Sequence, residues 1–409
     1  MPFDSASFLP RHPAESPEAA PPGQAPAVAS LSILHTEAAT GFGGQERYVL
    51  QHMLAMRARG HRPALLCQPG APVGQQARAA GLQVFELPMR TGAQLPAAIV
   101  HMVRLLRAMH FDVINTTSRR DTLVAASAAR LARVPLVVRS RHLMNRIGSP
   151  LTYTWLPHRV ITVSRFVGAL LHDSGISAER IGITPPALPL TDWLHGPPRQ
   201  AWAARCLLRT GSRRALGFGE GDLLVGCVAV LREAKGHADL LEAIAPLCQA
   251  RPALHLLVIG DGDAAVAAGL RERSRALRIE SQVHLLGEIA DAARWMTALD
   301  VFALPTRREA AGTVFLEAAA AAVPIAATDV GGVPEMLARG INALLSPVGD
   351  IEGLRQSLRV LLDYPALRRS MGRAGWNWLR SQPRFTLGAQ AEKTEALYRA
   401  WLEARRAPR

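Results

Sequence analysis

The chain has 409 residues, 49% hydrophobic and 20% charged, with a formal net charge of +14. Such a length exceeds one ordinary core and suits two domains of roughly 150–200 residues, and the Ala-, Leu- and Val-rich composition is that of a globular α/β protein. No apolar run reaches about 18 residues, which argues against a membrane span. Cys67, Cys206, Cys227 and Cys248 have neither metal-ligand nor redox spacing, which fits a reducing compartment. The charge is uneven: residues 29–200 hold 19 arginines and no lysine against eight acidic residues, a balance of +11. That excess suggests an anionic partner, such as a membrane surface or a phosphorylated acceptor. Arginine spread over a solvated face is the alternative. The aromatic-basic interleaving of nucleic-acid modules is not apparent, so no nucleic-acid partner is expected.

Residues 1–28 are rich in Pro, Ala, Ser and Glu without a basic cluster before an apolar core, and read as a disordered tail rather than a signal peptide. A strand is expected at 29–35, then a glycine loop (Gly41, Gly43, Gly44) opening an amphipathic helix with apolar Val49, Leu50, Met53, Leu54 and Met56. Glycines at such a turn let a ligand approach the backbone, with Gln45 and Glu46 in reach of a polar group; a turn that binds nothing is the plainer alternative. Strands follow at 62–67, 83–87 and 112–115, with a helix at 95–109. A strand at 136–139 ends in SRH, leaving His142 at the sheet edge, and a strand at 160–163 precedes a helix at 166–173. Residues 185–198 carry five prolines and read as an interdomain linker, followed by an arginine-rich helix to about residue 214.

The second half begins with a continuously apolar strand at 223–230. Lys235 stands in the turn after it; the chain has only one other lysine, Lys393, against 45 arginines. A lysine in this loop suggests a need for a compact, flexible point charge, with Arg232 as its companion. Strands at 254–260 and 283–286 and a helix at 290–299 come next. Residues 301–337 (VFALPTRREAAGTVFLEAAAAAVPIAATDVGGVPEML) then read as strand, loop, helix, strand, loop and a new helix begun by Pro334-Glu335. In such a βαβ unit the loops gather at the carboxyl edge of a parallel sheet. There Ala310, Ala311, Gly312 and Thr313 offer helix-start amides to an anion. Glu317 lies eight residues after Glu309, so roughly 800° of rotation returns it to the same side if the intervening residues are all helical. Two solvent-facing glutamates on a helix are the alternative. Beyond Asn342 the pattern is helical, ending in an amphipathic helix at 392–404.

With its two glutamates, proline and double glycine in register, the 301–337 run resembles the donor-sugar signature of the family 4 retaining glycosyltransferases. "GGQE" after the first strand and "KGH" at Lys235, Gly236 and His237 resemble the same family's loops, and the likeness extends over roughly residues 31–400. It implies a GT-B fold: α/β, with two facing Rossmann-like domains around a cleft. The implied organisation is a tail (1–28), an acceptor-binding domain (29–190), a linker (191–215) and a nucleotide-sugar-binding domain (216–383). A C-terminal helix (384–409) would cross back to the first domain.

By the same resemblance His142, Glu309, Lys235 and Arg232 carry catalysis. Gly43, Gly44, Gln45, Glu46, Ala310, Ala311, Gly312, Thr313 and Glu317 bind substrate, with Glu309 and the amides after it holding sugar and diphosphate and Glu317 the ribose. Ala311 stands where an aromatic or glycine is commoner in the family. Val230 stands where relatives often have arginine, and Thr116 and Thr117 where many carry histidine, so no acid-base role falls there. Asp261-Gly262-Asp263 spells Asp-x-Asp, but its place after a buried strand matches the family's glycine-rich turn, so neither metal nor other cofactor is implied.

The implied function is retaining transfer of a sugar from a nucleotide sugar to a glycan or lipid-linked acceptor in bacterial lipopolysaccharide or other cell-surface glycan synthesis. The expected location is the cytoplasm, at the inner face of the membrane. A nucleotide-sugar epimerase of the same fold and a non-catalytic membrane-binding scaffold are the competing readings.

Overall fold

In the computed structural model, which describes residues 29–89, 92–145, 147, 150–189 and 191–406, apolar runs pair into parallel sheets. The tail expected at 1–28 lies outside the described residues. Among those residues the first sheet has seven strands: β1 (Ser32–Glu37), β2 (Arg62–Cys67), β3 (Gln83–Glu86), β4 (Val113–Thr116), β5 (Leu136–Arg141), β6 (Arg159–Thr162) and β7 (Ile181–Ile183), in the order 3-2-1-4-5-6-7. The second has six, β8 (Leu223–Val228), β9 (Leu254–Ile259), β10 (Val283–Gly287), β11 (Val301–Leu304), β12 (Ile325–Thr328) and β13 (Ala343–Ser346), in the order 10-9-8-11-12-13. Strands such as β5 and β11 are buried along their whole length, as expected where helices cover both faces of a parallel sheet.

Both sheets are doubly wound, and each order reverses once: between β1 and β4 in the first, between β8 and β11 in the second. Register Thr36↔Thr116 and Phe302↔Gly226 fixes these central pairs. At such a reversal the loops leave in opposite directions and open a crevice at the carboxyl ends of the strands. The first sheet's crevice is bounded by the glycine loop after β1, the second's by the Lys235 turn after β8 and the Glu309 loop after β11.

The last helix, Leu387–Arg406, follows a segment in which Leu188 N donates to Phe385 O at 2.8 Å. It packs on the first sheet: Ala391, Tyr398, Trp401 and Leu402 share a core with Ile33, Met56, Val113, Leu136 and Ile161. Asn115 Nδ2 donates to Tyr398 Oη at 2.7 Å, and His52 Nδ1 meets Gln390 Oε1 at 3.2 Å. Burial pushes the Glu395 carboxyl up, but bonds from Arg399, Arg59 and His61 overcome this and hold it at about 2.

Several expectations need correction. The helix expected at 290–299 is only Ala292–Met296. Pro334-Glu335 lie inside a single 3-10 turn, Val333–Met336, and begin no new helix. Beyond Asn342 the chain first makes β13, whose four residues are too few to show a period distinguishable from helix. β7 and the short helix Pro72–Ala79 were not expected.

Candidate active site

Two loops of the second lobe build one wall. After β8 the chain makes a 3-10 turn, Glu233–Lys235, closed by Gly236 at φ +72°. A Cβ on Gly236 would lie 2.0 Å from the carbonyl oxygen of Pro305, so only glycine lets this turn rest on the loop after β11. The loops are stitched further by Arg307 N and Thr306 Oγ1, which donate to Ala234 O at 2.8 and 3.2 Å. As a result Lys235 Nζ donates to Glu309 Oε2 at 2.6 Å, both side chains largely shielded from water. His237, after the turn, is buried, and burial lowers its imidazole to about 4, the Arg232 backbone opposing the shift and the Lys235 charge adding to it.

Residues 309–312 are loop, and the helix Thr313–Ala320 starts only after Gly312 at φ +88°. The continuous helical rotation expected between Glu309 and Glu317 is therefore absent. Glu317 reaches the cavity because it stands four residues after Thr313, about 400° on. Burial raises its carboxyl above the ordinary range, Arg47 draws it back down and Asp291 raises it further. Ala311, Gly312, Thr313 and Val314 line the wall where the helix dipole is positive.

The facing wall comes from the first lobe. Gly43 caps the Gly44–Ala58 helix, and its N–H donates to Glu46 Oε2 at 2.7 Å. Gln45 Nε2 donates to Glu37 Oε2 at 2.7 Å, and Thr117 Oγ1 to the same oxygen at 2.9 Å. Burial, then the Asp121 charge, raise Glu37 to about 7 against the Gln45 bond. His142, just past β5, packs its ring 4.6 Å from that of Tyr48. Burial, then His52, lower it to about 4, so it is neutral at pH 7. His142 and Tyr48 also border a small buried chamber with His35 and His52.

The walls enclose a cavity of about 440 Å³ between the lobes. Of the residues singled out from sequence, Gly43, Gly44, Gln45, His142, Lys235, Glu309, Ala311, Gly312, Thr313 and Glu317 line it. Three lie elsewhere. Arg232 is exposed outside the lining, Glu46 turns back as a helix cap, and Ala310 is buried behind the wall, its carbonyl accepting from Ser164 Oγ at 2.5 Å. Sequence reasoning missed Arg47 and Tyr48, which also line the cavity. Their signal was available, since positions three and four after Gly44 share its face of the helix. It also missed Leu143 and Glu288, for which only their place after a strand could have spoken. In the Asp-x-Asp run, Asp263 caps the helix Ala264–Ala276 through Ala265 N at 2.9 Å, while Asp261 lines the cavity and accepts from Gly262 N at 2.7 Å.

Comparison with known proteins bears on this arrangement. Residues 42–192 match the family model "Glycosyltransferase Family 4", and residues 209–378 match "Glycosyl transferases group 1". One relative is the GDP-mannose-dependent monoacylated alpha-(1-6)-phosphatidylinositol monomannoside mannosyltransferase of Corynebacterium glutamicum, 32% identical over 45% of this chain and 51% of that protein. Another is the lipopolysaccharide core biosynthesis mannosyltransferase LpsB of Rhizobium meliloti, 28% identical over 57% and 66%. The matched stretch spans about half the length of the Corynebacterium relative. Among solved structures, Anabaena HepE in complex with UDP and glucose superposes with a TM-score of 0.77 at 19% identity, over 90% of this chain and 100% of that one. WaaG, a glycosyltransferase involved in lipopolysaccharide biosynthesis, gives 0.65 at 19%, over 90% and 99%. Both halves thus match adjoining models of one kind, and the doubly wound lobes with a cleft between them match its solved folds: the chain belongs to the family 4 and group 1 glycosyltransferases of GT-B fold.

Proposed function

We propose that the chain moves a sugar from a nucleotide-diphosphate sugar to a glycan or lipid-linked acceptor, with retention of anomeric configuration. The observation that carries this is the gathering of Lys235, Glu309, the start of the Thr313–Ala320 helix and Glu317 along one wall of the interlobe cavity. As the C1–O bond to the diphosphate breaks, negative charge grows on the departing phosphate. Lys235 and the helix-start amides are aimed where that charge develops. Glu309 orients sugar hydroxyls, and Glu317 accepts from the ribose. The acceptor enters along the Gly43, Gln45 and Tyr48 wall, where neutral His142 offers a hydrogen bond to the sugar. Its oxygen bonds C1 on the face the phosphate leaves, and its proton passes to the leaving phosphate oxygen. The nucleotide sugar is a co-substrate here, and no cofactor is assigned a role.

Support for the donor class comes from HepE, solved with UDP-glucose, and from the GDP-mannose-dependent relative. Support for cell-surface glycan synthesis comes from the names of LpsB and WaaG. The arginine excess of the first lobe, with Trp155 exposed at 77% beside Leu151 at 45%, suits an anionic membrane face on the cytoplasmic side. Among the described residues no helix is long and apolar enough to cross a membrane. The test is release of UDP or GDP from nucleotide sugars with and without candidate acceptors. Acceptor-dependent release supports transfer; release with no acceptor requirement, or interconversion of the donor sugar, speaks for an epimerase and against it.

A further inference from the structure

The Gly331-Gly332 pair and Glu335 do not themselves line the cavity, yet they meet the first lobe. Glu335, in the 3-10 turn after β12, sends its carboxylate to the start of the helix Arg165–Asp173: Oε2 accepts from Arg165 N at 2.9 Å and Oε1 from Phe166 N at 2.8 Å. Ser164, the residue capping that helix, accepts from Val167 N at 3.2 Å. Its hydroxyl donates across the lobe boundary to Ala310 O at 2.5 Å, in the same loop as Glu309. Three amides that a helix start leaves without partners thus find acceptors, two of them supplied by the other lobe.

The glycines permit the approach. A Cβ on Gly331 would lie 2.1 Å from Glu309 O, and one on Gly332 would lie 2.0 Å from Ala310 O and 3.0 Å from Ser164 Oγ. Gly332 N donates to Glu309 O at 3.0 Å. Val163 and Val167 of the first lobe are buried in one core with Ala310, Ala311 and Val333 of the second.

From this geometry we infer that Ser164 and Glu335 are positioning residues: they clasp the lobes and set the 309–312 loop, and with it Glu309, against the first-lobe wall. The inference rests on the donor-site reading above. Capping of the Arg165–Asp173 helix by a charge at its positive end is available only with the lobes together, so the same contacts that satisfy the helix also assemble the cavity.

The test uses the full chain as wild type, Glu335→Ala, Glu335→Gln and Ser164→Ala, followed by amide hydrogen exchange and by titration with UDP and GDP. In Glu335→Ala, exchange at 165–166 and, across the boundary, at 309–313 should quicken at least about fivefold, while the melting temperature falls by only a few degrees. Affinity for whichever nucleotide binds should drop about three- to tenfold, and Glu335→Gln, which keeps one acceptor, should recover part of both effects. Acceleration confined to 165–166, with 309–313 as slow as in wild type, would overturn the clasp. So would unchanged affinity in both Glu335→Ala and Ser164→Ala. If wild type binds neither nucleotide, the donor-site reading fails, while the exchange at 309–313 still decides the clasp. Should Glu335→Ala not fold, Ser164→Ala reads the same amides.

Discussion

Replacing Lys235 with methionine keeps most of the stem's bulk and removes the charge that faces Glu309 at 2.6 Å. In the donor complex that ammonium would also face the diphosphate. Two unit charges at about 4 Å in an effective dielectric of about 20 attract by about 4 kcal/mol. Part of this is offset because the ammonium already pairs with Glu309 and must be desolvated further. A net loss of about 2–3 kcal/mol, or about 30- to 150-fold in kcat/KM, is expected. Glu309 then stands without its cation and repels the diphosphate, so Lys235→Met/Glu309→Gln should lose less than the two single losses added. A coupling of about 1 kcal/mol or more is expected for groups in direct contact. Titration with UDP and GDP measures the binding part and initial rates of nucleotide release measure the rest. If Lys235→Met stays within about twofold of wild type in both, the assignment of the ammonium to the diphosphate is wrong.

Glu317→Ala should weaken nucleotide binding about tenfold, equivalent to about 1.4 kcal/mol. Because burial raises the Glu317 carboxyl above its usual 4.5, its anion is lost early as pH falls. Nucleotide affinity should therefore decline on the acid side in wild type, and titration of Glu317→Gln should show no such decline. Glu395 has the opposite sign: held at about 2 against an ordinary 4.5, it contributes stability that is present above about pH 4.5 and lost as pH falls toward 2. Urea unfolding at pH 5.5 and 3.5 should show the disadvantage of Glu395→Gln shrinking, without vanishing, at the lower pH. Trp401→Ala empties a buried site against the first sheet and should cost about 3–5 kcal/mol, read as a lower urea midpoint.

Local pattern carried much of the fold. The strand at Arg62–Cys67 and the helix at Leu95–Met109 fall where apolar spacing places them. The 301–337 run was legible because a strand, a small-residue loop and an alanine-rich helix follow one another without interruption. β13 was not, because Ala343–Ser346 is a four-residue stretch that takes its conformation from pairing Ile325↔Ala343. At the site, residues placed by their own loop were readable: Gly43, Lys235 and Gly312 depend on turns a few residues long. Glu46 and Ala310 fall outside the cavity lining for different reasons. Glu46 folds back on its own cap, whereas Ala310 meets Ser164, 146 positions away. Nothing local in Glu335 announces that it caps a helix 170 positions earlier. Such contacts exist only once two separately wound sheets face each other.

The most direct measurement is a crystal structure of the chain with UDP or GDP bound. A phosphate oxygen should lie within about 3 Å of Lys235 Nζ and of a backbone N–H at the start of the Thr313–Ala320 helix, with the ribose hydroxyls on Glu317. A nucleotide seated on another surface, or in the cavity with its ribose turned away from Glu317 and its phosphates away from Lys235, would contradict the account.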